Sequence, residues 1–430
     1  MILEKPNLFT QTSHFIVFVV TMVLIISLRL GWDYRSYQEF IQKPFFYSHA
    51  EVVNSYPKTK NGKTYTILKL RIDDAKTIYT TTYSHDDFAH KKVYMKFMPS
   101  AQIGFWDYLG GMYCKSRIKR VEPADITISY GLEKKIESQH IDKNMQSFYK
   151  AIFLATPIPK SLREKIASLG VSHLVALSGF HLGILWGVLY AILLFFYKPF
   201  QQRYFPYRYS LVDIGIVVMV ALGYYLWLTG FPPSLVRSYA MLLVGWMMLL
   251  MGIELVSFTF LSTIALVLLA LFPSLVVSLS FWLSIAGVYY IFLMLKYCSG
   301  AKTWLISIIC IPIGIFILMQ PVVHHIFGLT TPYQLLSPAL SIMFIVFYPV
   351  AFLVHLVGYG SLFDSMLESL FSMPMQIVDG SDIIMPLWGL ALYILISFWA
   401  IWSTRVFYIL IAVSSVYLGY LILSFFALNS

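Results

Sequence analysis

The sequence predicts a polytopic α-helical membrane protein, with about ten transmembrane helices and one inserted β domain. Three observations carry this. Apolar runs of about 16 to 24 residues recur along the chain, long enough as helix to cross about 30 Å of hydrocarbon. Apolar residues make up 58% of the chain and charged residues 12%, with a mean hydropathy of +0.72. A water-soluble surface needs roughly twice that charge. The charge that is present is concentrated: residues 31–150 hold 19 of the 31 Lys and Arg and 13 of the 21 Asp and Glu, a net +6.

The runs are Phe15–Leu30, Leu174–Tyr197, Leu211–Thr229, Ser238–Gly252, Val256–Phe272, Leu275–Leu295, Thr303–Met319, Leu335–Val357, Ile384–Trp402 and Val406–Leu428. Many of the 30 tyrosines and 10 tryptophans lie near their ends, as interfacial belts require. The exit of the first run, Leu28-Arg29-Leu30-Gly31-Trp32, lacks the small-x-small pattern that signal peptidase cuts, so residues 1–30 read as an anchor. Cys114, Cys298 and Cys310 are scattered, which predicts neither a disulfide framework nor a zinc site.

Within the polar stretch the hydrophobic period is two. Phe45–Asn54, Thr64–Ile72, Thr77–Tyr83 and Lys91–Met98 are β-branched and aromatic runs, and Met112–Val121 and Asp125–Tyr130 are candidates for further strands. Asn61-Gly62 is a hairpin signal, since both central residues of that turn need positive φ. With a short helical piece at Gly104–Gly110, residues 31–135 suit a small OB-like β-barrel; sandwich and SH3-like barrels remain open on this pattern. Residues 136–170 read as an amphipathic connecting segment, and 171–430 as a helical domain. The loops Lys198–Arg208 and Lys296–Lys302 are basic without acids, which makes them cytoplasmic and the β domain extracytoplasmic.

The β domain offers a candidate nucleic-acid surface. Lys69 and Arg71 alternate with apolar partners, as do Lys115, Arg117 and Lys119, with Tyr65, Tyr79, Tyr83, Tyr94 and Phe97 among them. Cations that follow phosphates and rings that stack bases make a single-strand-binding surface. The alternative is a solvated face on which lysines prevent edge aggregation. Three other motifs read as ordinary structure. Pro57–Thr64 (PKTKNGKT) has Pro57 where a phosphate loop has glycine, and a strand pattern follows it. His85-Asp86-Asp87 with His90 lacks a fourth metal ligand, and adjacent His324 and His325 diverge by about 100° on a helix.

The membrane runs hold polar groups that are expensive at such depth. His173–Gly183 reads HLVALSGFHLG. On one continuous helix Ser178 and His181 are i,i+3 neighbours; equally, Ser178-Gly179 interrupts the helix. Phe231–Ser238 (FPPSLVRS) breaks any helix and places Arg237 at the mouth of the next span, as a phosphate partner or a snorkelling anchor. Ser278–Ala286 (SLSFWLSIA) aligns Ser280 and Ser284 at i,i+4. An intramembrane serine hydrolase would use Ser178 with His173 or His181 as base, but no orienting acid is nearby. A small-molecule or lipid transporter predicts an internal repeat, and none is visible.

HLVALSGFHLG, PPSLVRS and FWLSIA, in this order, resemble the signature stretches of the ComEC family of competence proteins, and Gly104–Leu109 resembles that family's Phe-Asp-Tyr segment. The resemblance spans roughly residues 40 to 350. Phe180, Ser238 and Trp282 stand where the family has leucine, alanine and glutamine. It implies an inner-membrane channel that carries single-stranded transforming DNA from periplasm to cytoplasm, with an extracytoplasmic OB-like domain before the helical one. His173, Ser178, Gly179, His181, Arg237 and Ser284 would line or gate the DNA path, while Lys69, Arg71, Tyr83, Lys115, Arg117 and Lys119 bind the strand. No catalytic residue, metal or cofactor is expected. No HxHxDH cluster occurs, so the chain reads as a short form without the metallo-β-lactamase-like domain of many relatives. Expected partners are a periplasmic DNA receptor, a cytoplasmic helicase-type motor, since no nucleotide-binding loop is present, and a second copy of the chain in a homodimer.

Overall fold

The first helix outruns the apolar stretch that begins it. The computed structural model describes all residues except 1–7, 10, 61–62, 73–75, 84–87, 89–90, 123–127, 253–255, 330, 374–383 and 430. In it α1 (Thr12–Gln42) continues past Leu30, where the anchor is predicted to end. The extension has its own packing: Tyr37, Phe40 and Ile41 join the core of the β domain, and the Tyr37 hydroxyl donates to Ile103 O at 2.7 Å.

Six strands follow: β1 (Phe46–Lys60), β2 (Lys63–Ile72), β3 (Thr77–Thr82), β4 (Lys92–Met98), β5 (Met112–Tyr113) and β6 (Lys115–Glu122), with α2 (Phe105–Gly110) between β4 and β5. They form one sheet in the order β5-β3-β2-β1-β4-β6. The period-two pattern is realised: Leu68, Leu70, Ile78, Val93, Met95 and Phe97 are buried on one face, and the residues between them point outward. β1 and β2 pair as far as Lys60 opposite Lys63; Asn61-Gly62 itself lies outside the described residues, as does the His85–His90 cluster apart from Phe88.

The two edge strands of the sheet are successive pieces of one stretch. β5 pairs parallel with β3 and β6 pairs antiparallel with β4, with Cys114 alone between them. The Cys114 N–H donates to Tyr79 O at 2.9 Å, and the Thr80 and Ser116 hydroxyls are 2.7 Å apart. The last predicted strand, Asp125–Tyr130, is corrected: Ile128 begins α3 (Ile128–Glu137), whose lysines and glutamates alternate with apolar residues at helical spacing, and 123–127 lie outside the described residues.

The chain divides into two compact units, Phe9–Thr127 with Ser262–Trp282, and Ile128–Leu261 with Leu283–Ser430 (plus Met1–Leu8). The helical unit holds α3, α4 (Lys143–Leu154), α5 (Lys160–Ser168), α6 (Ser172–Val175), α7 (Gly179–Tyr204), α8 (Ser210–Leu228) and α9 (Pro233–Leu250). After α10 (Phe258–Leu271) and α11 (Leu279–Tyr297), which straddle the division, come α12 (Thr303–Leu305), α13 (Ile311–Phe327), α14 (Ser337–Val357), α15 (Asp364–Ser372), α16 (Leu387–Trp399) and α17 (Thr404–Asn429). Each predicted run contains a helix, although the run from Leu174 is interrupted between α6 and α7. Among the described residues seven helices are long and apolar enough to cross a membrane, and three shorter apolar ones (Ser234–Leu250, Phe258–Leu271, Leu387–Trp399) account for the rest. Residues 136–170 do more than connect: Met145, Phe148, Tyr149 and Ile152 form a helical stripe on α4 that is buried in the same core as Phe344, Tyr348 and Ala351 of α14.

Cys114 seals the junction of β5 and β6 at 1% exposure, and burial pushes its thiol up to about 11, against a smaller opposing effect of a backbone hydrogen bond at Met98. In a chain with Cys298 and Cys310 replaced by serine, iodoacetamide at pH 9 should alkylate folded Cys114 about 50-fold more slowly than the unfolded chain. Equal rates in the two states would show that this junction is open.

Candidate functional site

The run that begins at Leu174 is not one helix. α6 is a single turn that ends at Ala176, which is extended, and α7 starts afresh at Gly179 with Ser178 extended before it. The backbone groups released by this break need partners, because hydrocarbon supplies none. His181 provides two. Its Nδ1 accepts from the Ser178 N–H at 3.3 Å, which leaves the hydrogen on Nε2, and Nε2 donates to Leu174 O at 2.9 Å. Ser234 of α9 provides a third by donating to Leu177 O at 2.8 Å.

These bonds bring two sequence motifs together. Gly179 lies against Ser238: a Cβ there would sit 3.0 Å from the Ser238 hydroxyl and 3.3 Å from its Cβ. Pro232-Pro233 starts α9, Ser234 and Ser238 turn one face to the break, and half-buried Arg237 stands one turn beyond Ser234. Gly230 and Phe231 ahead of the prolines both have positive φ, +74° and +54°. For a phenylalanine that is a strained conformation, of the kind that collects at functional sites. α14 closes the other side: exposed His173 lies 3.3 Å from the Ser341 hydroxyl through Nε2, and Phe344 and Tyr348 meet the His181 ring edge-on at 5.2 and 4.8 Å.

His173, Ser178, Gly179, His181 and the Arg237 segment thus belong to one arrangement. His181 is fully enclosed and both its nitrogens are engaged, whereas His173 and Gly179 are exposed. Ser284 is exposed on α11, and none of the contacts above reaches it. Ser234, Ser341, Phe344 and Tyr348 are the members the sequence does not single out. Serines and aromatics in apolar runs are too common to stand out, and only pairing across 57 or more positions reveals them.

On the sheet the candidate residues fall into two groups. Arg71 is opposite Glu51, Glu51 opposite Lys92 and Lys92 opposite Glu122, so Arg71 belongs to a row of alternating charge. Lys69 is half-buried with its ammonium 6.0 Å from the Tyr79 ring; burial, then Arg71, holds it below the usual lysine range. β6 is different. Lys115, Arg117 and Lys119 point outward, Lys115 and Arg117 are opposite Met98 and Lys96, and a bulge leaves Lys119 out of the pairing. Beside them Tyr47 and Tyr94 stack at 5.8 Å, and Lys96 lies 3.8 Å over the Phe45 ring. Tyr83, at 72% exposure, stands just past β3.

A family model described as "Competence protein" matches residues 155–425, well over half of the chain. The chain belongs to the competence protein family. An uncharacterized protein of Aquifex aeolicus (strain VF5) is 28% identical over 222 residues, 51% of this chain and 46% of that protein. The match thus spans about half the length of the curated relative. No solved structure matches.

Substituting Gly179 by leucine should force α9 off the break and destabilise the chain by about 1–3 kcal/mol, with part recovered when Ser238 is also made glycine. Thermal unfolding in detergent checks this; an unchanged midpoint would show that the two motifs do not pack together.

Proposed function

We propose that this chain is a multi-pass inner-membrane channel that carries single-stranded DNA into the cytoplasm during natural competence. Membership of the competence family supports the role in competence. The observation that carries the finer reading is the joining of the α6–α7 break to the Pro-Pro-Arg237 segment: a broken helix with its carbonyls satisfied inside the bundle, next to a guanidinium suited to phosphate. In this reading Arg237, His173, Ser178, Gly179 and, from α11, Ser284 line or gate the path. His181 acts as a positioning residue that holds the break in shape.

The β unit is proposed to be an extracytoplasmic OB-like barrel, closed where β5 and β6 join through Cys114, with Asp107-Tyr108 of α2 beneath it. Lys115, Arg117 and Lys119, with Tyr47 and Tyr94, form its strand-binding face; Lys69, Arg71 and Tyr83 are secondary, because Arg71 already faces Glu51. An inside-negative potential opposes a polyanion by about 2.3 kcal/mol per charge per 100 mV. Contacts must therefore be weak enough to release the strand, and a motor must pull it. A cytoplasmic helicase-type motor, a periplasmic DNA receptor and a second copy of the chain are the proposed partners.

We read the chain as a transporter of DNA with no catalytic residue, metal or cofactor of its own. The serine-hydrolase alternative finds no support at Ser178: the far nitrogen of His181 donates to a backbone carbonyl, not to a carboxylate that could orient a base. Two tests follow. Arg237→Ala should stop labelled DNA from reaching the cytoplasm while its uptake into the periplasm continues; normal transformation would overturn the path. Replacing Lys115, Arg117 and Lys119 together by alanine should lower the salt dependence of single-strand binding by about 2 in log–log slope; an unchanged slope would remove this face from the proposal.

A further inference from the structure

A second polar cluster is buried in the helical unit, made by residues 215 or more positions apart. His140, in the turn between α3 and α4, is 5% exposed. Its Nδ1 lies 3.0 and 2.9 Å from the two carboxylate oxygens of Asp364, at the start of α15. Its Nε2 lies 3.0 Å from Nε2 of His355, near the end of α14. Nδ1 of His355 lies 2.6 Å from Ala351 O.

Counting hydrogens gives the chemistry. A carboxylate and a carbonyl oxygen only accept, so both Nδ1 atoms carry hydrogen. A neutral imidazole has one N–H, so both Nε2 atoms would then be bare lone pairs facing each other at hydrogen-bond distance. Water does not screen them: Tyr149 stacks on the His140 ring at 4.4 Å and lies tilted against His355 at 4.4 Å, and Phe153 meets His355 edge-on at 5.0 Å. The contact needs a cation between the two nitrogens. Tetrahedral zinc, at about 2.0–2.1 Å from each, would hold them about 3.3–3.4 Å apart and would need further donors. Among the described residues no group of three or more His, Cys, Asp or Glu could hold a metal.

We infer that His140 and His355 bind one proton between them, with Asp364 as its counter-charge, and that this proton clasps the end of α14 to the turn after α3. The count is unchanged if the proton is drawn on the carboxyl group, because the three groups titrate as one unit. The neighbouring segments are fitted to the clasp. The Gly360 N–H donates to Gln139 Oε1 at 2.8 Å, and Gln139 Nε2 donates to His355 O at 3.2 Å. A Cβ on Gly360 would fall 2.6 Å from Gln139 Oε1 and 2.8 Å from the His355 ring.

The sign follows from proton linkage. The clasped state holds one proton more than two neutral imidazoles beside a carboxylate. Closing therefore takes up a proton wherever the open imidazoles are neutral; acid favours the clasp and alkali opens it, by at most about tenfold per pH unit. The other groups facing the site do not offset this: Tyr149 contributes a neutral phenol, and Glu137 is already paired with Lys150 at 2.6 Å. Gln146 bridges that pair to the site by donating to both Glu137 O and His140 O.

The test uses the full chain in lipid nanodiscs with 15N-labelled imidazoles. Expected at pH 7 is one coupled Nε2–H···Nε2 pair among the ten histidines. It should be lost at alkaline pH together with hydrogen-exchange protection of residues 355–363. His355→Gln supplies an amide N–H in place of the shared proton, so its protection should not depend on pH. Asp364→Asn should release the proton at lower pH; where that variant does not fold, His355→Gln decides. Independent titration of all ten histidines with pH-independent protection overturns the clasp. So does one equivalent of tightly held metal bound through both Nε2 atoms.

Discussion

Everything in the helical unit is arranged around one requirement: a polar backbone group away from water must find its partner within the protein. The extended residues Ala176–Ser178 violate helix continuity in an otherwise apolar run, and their repair dictates what packs nearby. His181 returns to Leu174 O and Ser178 N–H, which fixes its tautomer and buries it. Ser234 must then approach Leu177 O, which sets the position of α9 and brings Ser238 so close to Gly179 that a Cβ there would sit 3.0 Å from its hydroxyl. Tyr348 fills the remaining space against the imidazole edge and reaches Tyr225 of α8 at 3.5 Å. Four elements are thus located by one three-residue interruption.

The β unit answers the same requirement differently. Its four inner strands bond to neighbours on each side, and its two edge strands, β5 and β6, are consecutive in the chain. Its outward face is sorted by pairing. The row Arg71–Glu51–Lys92–Glu122 neutralises itself, whereas the bulge opposite Tyr94 and Met95 turns Lys119 out of register and leaves β6 basic. Identical alternation in sequence therefore gives two surfaces with different electrostatics, and cross-strand neighbours decide which is which.

That distinction marks how far the sequence could be read. Length and period were enough for the helices and for the alternation of the strands, because hydrophobic burial is set by spacing within one segment. The motifs HLVALSGFHLG and PPSLVRS were legible as breaks, and they do meet. Their joint, however, depends on Ser234 and on a missing Cβ at Gly179, which carry no local signal. The length of α1 was misjudged because Asp33, Arg35 and Glu39 ended the apolar run without ending the helix. His140 and Asp364 lie in polar surroundings where neither residue is unusual, and only their meeting across 224 positions makes them a site.

The two histidine sites also show how the same side chain can be assigned opposite duties by counting hydrogens. His181 has one acceptor to satisfy and one donor to receive, so a neutral ring fits with nothing left over. His140 and His355 each face an acceptor with Nδ1, so their second nitrogens collide unless a proton joins them. Burial disfavours a charge there, and the Asp364 carboxylate, 2.9 Å from His140, is the counter-charge that a shared proton would need, since a buried charge persists only when paired and hydrogen-bonded. The first histidine is therefore a neutral ring held by its own bonds. The second pair keeps its contact by sharing a proton, which ties the clasp between α14 and the turn after α3 to proton activity.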